Sequence, residues 1–347
     1  REAGVDYSAV DFDDRFWIRT NRNGAVDFAI VSAPYDHPAE ENHRIEIPHR
    51  PGVLILDVEP FADFIVRMER ENGLPRIVVR ERISGAEHVI EFAEAAYALG
   101  MSNGYLWDSP WLRFDYSSPT TPATVFDYNM RTHKRVLRKT QQVPSGHNSG
   151  DYIVERIDAP GDDGALVPVT LLRHRTTPVD GTAPVLLYGY GSYGITIPAD
   201  FRTGRLSLVD RGFIYAVADV RGSMAKGYQW YLDGKLEKKT NTFEDFVAAG
   251  RHLVTQGYTS RGRIVAMGGS AGGLLMGVAV AVLGGLDSIG GAIVAGLLLG
   301  MFQGVASGYL DRLVGGGSRE LVVAATLVLT ILIRPHGLFG REDIQRI

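Results

Sequence analysis

Apolar and polar residues alternate along much of the first 137 residues, and this period of two is typical of β-strands with one buried face. The first clear strand is 15–20, and a second follows at 26–31 after a turn at Asn23-Gly24. Asn-Gly between alternating segments indicates a hairpin, because both turn positions need a positive φ. The pattern therefore predicts antiparallel β-structure.

The same plan recurs 49 residues later, around Asn72-Gly73. A four-stranded propeller blade repeats at roughly 40–50 residues, so this spacing predicts two blades, and a third unit is expected at 112–128. An ordinary β-sandwich is the alternative, because two or three blades do not close a ring. The residues expected in the core are Trp17, Phe28, Ile65 and Val78.

Short uninterrupted apolar runs replace this alternation between residues 152 and 278, as is typical of buried parallel strands. The runs that predict strands are 185–188, 213–218 and 263–267. Apolar spacing over 243–254 predicts a helix that Asn241 or Thr242 caps. Strands that alternate with helices predict a parallel sheet.

The apolar runs lengthen after Leu274, and the only charged residue between Leu274 and Leu310 is Asp287. The segments expected to be helical are 274–286, 289–310 and 320–333. One helix face would carry glycines spaced by four, which permits close helix packing in lipid. These glycines are Gly296, Gly300, Gly304 and Gly308. We expect membrane-type helices over 279–347, with a buried helix of a water-soluble core as the alternative.

The charge and the lack of cysteine exclude several classes of partner and site. The net charge of −4 shows no basic bias, so we expect no nucleic-acid partner, and the lack of cysteine excludes disulfides, thiol catalysis and cysteine zinc sites. We expect no metal and no cofactor. The polar residues that follow Arg1 show no signal peptide, and without an initiator Met we expect the chain to begin inside a longer protein.

Ser270 lies in the segment Gly-Gly-Ser-Ala-Gly-Gly, which contains the Gly-x-Ser-x-Gly pattern of a nucleophile elbow. The pattern follows an apolar strand and precedes an apolar segment, as the elbow requires. Ser270 is therefore the candidate nucleophile. The backbone amide of Ala271 is the candidate donor to an oxyanion.

Several motifs precede the elbow in a fixed order. They are Tyr188-Gly189-Tyr190-Gly191-Ser192-Tyr193-Gly194, Arg205-Leu206-Ser207-Leu208, Asp219-Val220-Arg221-Gly222, Trp230-Tyr231-Leu232-Asp233-Gly234-Lys235, Asn241-Thr242-Phe243 and Gly257-Tyr258-Thr259-Ser260. Together they closely resemble oligopeptidase B of the prolyl oligopeptidase family over residues 1–278. The resemblance implies a propeller that caps an α/β-hydrolase domain. It also implies that the protein cleaves peptides after Arg or Lys.

The resemblance also implies roles for individual residues. Tyr190 matches the hydroxyl that completes the oxyanion hole, and Asp200 matches an acid near the basic substrate side chain. Pro198 stands where a second acid is common. The arm 221–226 departs from the family's glycine-rich version.

The acid and base of a hydrolase triad should follow the serine. His336 is the only later histidine, and Ser270–Asp311–His336 has the right order. We reject this triad because sheet strands must come before the acid, a βαβ unit takes about 30 residues or more, and the 40 residues between Ser270 and Asp311 are filled by the glycine-spaced apolar helix. Residues 281–292 and 334–340 instead resemble the C-terminal end of branched-chain amino-acid ABC transporter permeases. The sequence therefore suggests two joined gene pieces that meet near 276–281.

The expected fold is mixed: a partial β-propeller over 1–137, a truncated α/β-hydrolase domain over 138–278 and a short α-helical membrane-type tail over 279–347. The expected function is a serine endopeptidase acting on peptides with basic residues, inactive as this chain stands. A permease fragment is the alternative, and a non-catalytic binding module is a third hypothesis. We expect the peptidase part in the cytoplasm and attachment to the inner membrane through 279–347.

Overall fold

The structure is a computed structural model, and it describes residues 2–102 and 106–276. The chain divides into two units between Val265 and Ala266. Residues 2–265 hold most of the secondary structure, and residues 266–276 hold the turn that contains Ser270.

Three four-stranded antiparallel sheets occupy the first 140 residues. The first has the order β1-β2-β3-β4 and consists of Tyr7–Phe12, Arg15–Thr20, Ala29–Pro34 and Arg44–Ile47. The second has the order β5-β6-β7-β8 and consists of Val53–Pro60, Phe64–Glu71, Leu74–Glu81 and Glu87–Val89. The third has the order β12-β11-β10-β9 and consists of Ala98–Met101, Trp111–Ser117, Thr124–Asn129 and Arg135–Thr140. The expected boundary at residue 137 falls inside β12.

The turn at Asn72-Gly73 is the two-residue hairpin that the sequence predicts. It joins β6 to β7, Glu71 pairs with Leu74, and both turn residues have positive φ, 48° and 77°. The prediction around Asn23-Gly24 is wrong in detail. There the chain makes two further turns, so that β3 begins at Ala29 rather than at residue 26.

Consecutive sheets pack face to face through apolar side chains. Phe12, Phe28 and Ile30 of the first sheet and its loops meet Leu54 and Ile65 of the second. A second cluster joins the second sheet to the third; its members include Phe64, Val66, Ile77, Leu112 and Phe114. The four residues expected in the core are confirmed as buried: Trp17, Phe28, Ile65 and Val78. This stacking of four-stranded sheets is that of propeller blades.

The second sheet also buries charge. Arg67 is 1% exposed and donates to Glu69, which is fully buried, and to both carboxylate oxygens of Glu87 at 2.8 and 2.9 Å. Arg76 donates to the second oxygen of Glu69 at 2.9 Å. Because each buried charge has an opposite partner, this network does not leave an isolated ion in the core.

A five-stranded sheet follows, with the order β13-β14-β16-β15-β17. Its strands are Tyr152–Pro160, Leu166–His174, Val185–Gly189, Ile214–Ala218 and Ile264–Met267. The three predicted strands are confirmed, and β15 pairs with β16 in parallel. The sheet is mixed rather than wholly parallel, because β13, β14 and β16 pair in antiparallel fashion.

Three helices accompany this sheet: α1 Thr203–Val209, α2 Tyr228–Leu232 and α3 Thr240–Thr255. The predicted helix is confirmed as α3, but its expected caps are wrong. Asn241 and Thr242 lie inside the first turn, and the Thr242 hydroxyl donates to the carbonyls of Arg221 and Gly234 instead. A distant loop has therefore taken the hydroxyl that a local cap would use.

The predictions for the tail fall on residues 277–347, outside the described part of the chain. They include the helices over 279–347, the glycine face from Gly296 to Gly308, and the positions of Asp311 and His336. Among residues 2–102 and 106–276, no helix is long and apolar enough to cross a membrane.

Candidate active site

The candidate nucleophile sits in a left-handed turn. Ser270 follows β17 by three residues and has φ 52°, a conformation that residues other than glycine rarely adopt. Two backbone hydrogen bonds close the turn: the Gly272 amide donates to Gly269 at 2.8 Å, and the Gly273 amide donates to Ser270 at 2.9 Å. A short helical segment, 272–276, begins directly after Ala271.

This arrangement is the strand–turn–helix sequence of a nucleophile elbow. Ser270 is exposed, so its hydroxyl is accessible to a reagent. A strained backbone at a serine costs roughly 1–3 kcal/mol, and such strain is found mainly where a site requires it. The Ala271 amide lies at the start of the helical segment, where backbone N–H groups have no partner within the helix.

Tyr190 follows the last residue of β15, and the turn after it is held on several sides. Lys239 donates its ammonium to the carbonyl of Gly191 and, at 2.9 Å, to the hydroxyl of Ser192. The Gly194 amide donates to the carbonyl of Gly222 at 3.0 Å. The half-buried Tyr190 hydroxyl makes no hydrogen bond to any residue in the described part of the chain, so it is free to donate elsewhere.

The loop after β16 also supports the turn that follows Tyr190. Gly222 of this loop has φ 94°, a backbone conformation that favours glycine. A Cβ at Gly222 would overlap the carbonyl oxygen of Gly191. The backbones of the two loops therefore touch, and only glycine permits this approach. The arm 221–226, for which the sequence offered no interpretation, is thus part of the support of the Tyr190 turn.

Arg221 anchors that loop to α3. Its backbone amide donates to Asp245 at 2.8 Å, its Nε donates to the same carboxylate at 2.9 Å, and its Nη1 donates to Asp163 at 2.5 Å. Burial works against the charge on Arg221, but the hydrogen bonds to Asp245 and Asp163 outweigh it and raise the pKa of Arg221. Burial raises the pKa of Asp245 despite its bonds to Arg221. Sequence analysis missed Asp245 because its partner lies 24 residues away.

Asp200 lies between β15 and α1, and its carboxylate already has two cationic partners. Arg202 and Arg205 each donate to it at 2.9 Å, and the Asp200 side chain is 23% exposed. The hydrogen bond to Asp200 raises the pKa of Arg202. A basic substrate side chain would meet a carboxylate whose charge is largely compensated.

The predicted site residues fall in two units of the chain. Tyr190 and Asp200 belong to the unit that ends at Val265, and Ser270 with Ala271 belongs to the unit that begins at Ala266. Across residues 2–102 and 106–276, no group of three or more His, Asp or Glu side chains is placed to hold a metal ion.

Two family models match the chain. The N-terminal β-propeller domain of prolyl oligopeptidase matches residues 1–141, and the prolyl oligopeptidase family matches residues 199–284, which include the Ser270 turn. The second match extends six residues beyond the expected end of the peptidase part at 278. The resemblance of the tail to transporter permeases receives no support from these comparisons.

Individual relatives agree with this family. The chain is 42% identical over 278 residues to dipeptidyl aminopeptidase BI of Pseudoxanthomonas mexicana, covering 80% of the chain and 38% of the relative. It is 33% identical over 289 residues to protease 2 of Moraxella lacunata, covering 83% and 41%. The solved structure of oligopeptidase B from Trypanosoma brucei, in its closed form with covalently bound antipain, is similar with a TM-score of 0.76 and 35% identity, covering 80% of the chain and 41% of that chain.

The chain therefore spans about two fifths of the length of these relatives. Stacked four-stranded sheets, a mixed sheet with parallel β15 and β16, and a serine turn with φ 52° are the structural features that accompany the matches. On this evidence the chain belongs to the prolyl oligopeptidase family.

Proposed function

We propose that this chain carries the nucleophile and oxyanion half of a serine peptidase site. Ser270 is the nucleophile, and the Tyr190 hydroxyl and the Ala271 amide are the two donors to the oxyanion. The observation that carries the proposal is the exposed serine held at φ 52° between a strand and a helical segment. Its place in the Gly-x-Ser-x-Gly turn after β17 distinguishes it from the other exposed left-handed residues of the region, Tyr193 and Leu236.

The reaction would be acyl transfer from a peptide. The Ser270 oxygen attacks the carbonyl carbon of the scissile bond, the hydroxyl proton passes to a base, and the carbonyl oxygen becomes the oxyanion. The leaving amine then takes a proton as the C–N bond breaks. In this fold class the acid and base follow the serine in the chain, and the described residues after Ser270, 271–276, contain neither a carboxylate nor a histidine.

Two substrate classes fit the proposal. Cleavage after Arg or Lys is what the resemblance of the motifs to oligopeptidase B implies, and the similarity to the solved oligopeptidase B supports that resemblance. Removal of dipeptides from an amino terminus is supported by the higher identity, 42%, to dipeptidyl aminopeptidase BI. Asp200 is the proposed contact for a basic side chain in the first class, although its pairing with Arg202 and Arg205 means that a substrate would have to displace one arginine.

Mass spectrometry after treatment with a peptidyl phosphonate tests the proposal. Without a base the Ser270 hydroxyl stays a weak nucleophile, so we expect a slow covalent adduct on Ser270 of the full chain, absent in Ser270→Ala, with no adduct on Ser192, a second serine in a glycine-rich turn. We expect no multiple turnover of an Arg-containing fluorogenic peptide, because an oxyanion hole without base and acid retains only roughly 10³–10⁴-fold acceleration over water. An adduct pattern without Ser270 would contradict the proposal.

The same reagent separates the two substrate classes. Faster labelling by a phosphonate with Arg next to phosphorus than by its Leu counterpart would favour cleavage after basic residues. Faster labelling by a free-amine reagent than by its acetylated form would favour dipeptide removal.

A further inference from the structure

A cavity of about 100 Å³ lies where the second and third four-stranded sheets meet the five-stranded sheet. Its walls come from distant parts of the sequence, including Met68 of β6, Leu99 of β9 and Thr170 of β14. Apolar and polar atoms line it in about equal measure, and its polar side chains include Asp219, Arg70 and Thr196. None of the three has a role in the site described above.

Asp219 is the first of these groups and is only 7% exposed. Its backbone is fixed at the end of β16, since its amide donates to the carbonyl of Pro168 at 2.9 Å and its carbonyl accepts from the indole of Trp230 at 2.9 Å. Its carboxylate accepts no hydrogen bond from any residue within 2–102 and 106–276. A buried carboxylate without a partner is costly, and burial raises its pKa to about 7.

Arg70 and Thr196 are unsatisfied as well. The Nε of Arg70 and the hydroxyl of Thr196 are buried and have no hydrogen-bond partner. Burial lowers the pKa of Arg70, and Asp219 is the one charge that raises it. No ion pair joins Arg70 to Asp219 among the described residues, so the two opposite charges face one cavity without meeting. A second cation, Arg156, also acts on Asp219 from outside the lining.

A ligand that satisfies this cavity needs a cationic donor for Asp219 and an acceptor for Arg70. The first residue of a peptide has both, because its ammonium nitrogen and its carbonyl oxygen are separated by a single Cα. We propose that this cavity binds the free amino-terminal residue of a peptide, with the ammonium group on Asp219 and the first carbonyl oxygen on Arg70. This inference rests on the proposed peptidase function and selects substrates with an unblocked amino terminus.

The volume is consistent with a small ligand group. It accommodates the terminal atoms of one residue. If water filled the cavity instead, each water molecule would need two to four polar partners. The two arginines would also attract a carboxylate, and the experiment must therefore separate an amino terminus from a carboxy terminus.

Isothermal titration calorimetry of the full chain with alanyl-alaninamide tests the inference, with acetyl-alanyl-alaninamide and alanyl-alanine as companion probes. We expect the free-amine amide to bind and the acetylated probe to bind roughly 10–100-fold more weakly, as for loss of a charged hydrogen bond. Alanyl-alanine should bind as tightly as its amide. Equal affinity for the free and acetylated probes, or no saturable binding, would overturn the inference.

Variants locate the binding. Asp219→Asn should weaken binding of the free-amine probe by the same 10–100-fold and leave the acetylated probe unchanged, whereas Arg70→Gln should weaken both probes because both carry the carbonyl. Asp162→Asn, at an acid that is 87% exposed, is the matched control and should change neither. Thermal unfolding of each variant checks that it is folded. Unaltered affinity in Asp219→Asn would contradict the inference.

One further variant separates this inference from the proposed function. Ser270→Ala removes the nucleophile, and the affinity pattern of the three probes should remain. Failure of phosphonate labelling with an intact affinity pattern would reject the peptidase chemistry alone, and labelling without amine-dependent binding would reject the cavity's role alone.

Discussion

The two regions of the molecule place left-handed backbone at different kinds of residue. In the four-stranded sheets it falls mostly on residues that tolerate it, such as Asn23 at φ 55° and Asn72 at φ 48°. Around the five-stranded sheet and the turn that follows it, the strained residues are Tyr193, Leu236 and Ser270, at 56°, 49° and 52°. The blades thus use turn chemistry that suits their backbone, whereas the peptidase-like region holds unsuitable residues in place.

Left-handed backbone at such a residue therefore needs an explanation of its own at each position. Phe28, at φ 67°, is the exception in the blades, and its buried ring explains it through packing. Ser270 is exposed and has no such packing explanation.

The largest effect is expected at Gly222. Gly222→Ala would force a Cβ onto the carbonyl oxygen of Gly191, and neither backbone can move without opening the Tyr190 turn. We expect a loss of more than about 4 kcal/mol in the free energy of unfolding, or failure to fold. Urea unfolding measures it.

The matched control lies in the blades. Gly24 also has positive φ, but an added Cβ meets no atom within 4 Å, so Gly24→Ala should cost only about 1–2 kcal/mol for the backbone conformation. Equal losses in the two variants would show that the contact between the Gly222 and Gly191 backbones adds nothing to the cost of a positive φ.

A smaller effect is expected at Asp245. Asp245→Asn leaves the buried guanidinium of Arg221 with one carboxylate, Asp163, and should lower the free energy of unfolding by about 3 kcal/mol. Arg202→Ala, at an arginine that is 61% exposed, should leave the unfolding midpoint nearly unchanged. A loss no greater in Asp245→Asn than in Arg202→Ala would show that the Arg221 anchor does not stabilise the region.

The two regions should also respond to pH with opposite sign. The pKa of Asp219 is raised from its ordinary 3.8 to about 7, so the folded chain retains a proton that the unfolded chain releases. The protonated Asp219 carboxyl therefore contributes fully to the free energy of unfolding below the unfolded pKa of 3.8, and this contribution is lost as the pH rises through about 7. Relative to wild type, Asp219→Asn should therefore be more stable at pH 8 than at pH 5, as urea midpoints at the two pH values would show.

Glu87 in the second blade provides the opposite case. The hydrogen bond from Arg67 lowers the pKa of Glu87, so its contribution is present above the unfolded value of 4.5 and is lost as the pH falls. Glu87→Gln should destabilise the chain at pH 7 and much less at pH 3. The same pH trend in both variants would rule out this electrostatic difference.

The smallest effect is expected at the hairpin. Asn72→Ala replaces a residue that tolerates φ 48° and should cost about 1 kcal/mol. Ser270→Ala, also at a left-handed position, should cost less, because alanine and serine both find this conformation unfavourable. Equal unfolding midpoints for the wild type and Asn72→Ala would show that asparagine has no advantage over alanine at this left-handed position.

Local features of the fold were predictable from the sequence. The Asn72-Gly73 hairpin depends on two adjacent residues, and strands β15, β16 and β17 follow from short apolar runs. The Asn23-Gly24 hairpin was not predictable, because burial of Phe28 lengthens the loop before β3. Non-local packing overrode the local signal there.

The site divides in the same way. Ser270 and Tyr190 follow from motifs within a few residues. Other features join residues far apart in the chain: Arg221 binds Asp245, and Lys239 binds the turn after Tyr190. Asp219 and Arg70 likewise line one cavity. Such pairs leave no trace in a single sequence until the fold brings them together.

The rate of phosphonate labelling at Ser270 in Tyr190→Phe measures the contribution of the Tyr190 hydroxyl to the proposed oxyanion hole. If the Tyr190 hydroxyl stabilises the oxyanion, its removal should slow labelling about 100-fold or more, as for loss of one oxyanion donor. Tyr193→Phe, at a tyrosine that is 72% exposed in the same turn, should label at the wild-type rate. Equal rates for Tyr190→Phe and wild type would contradict the account.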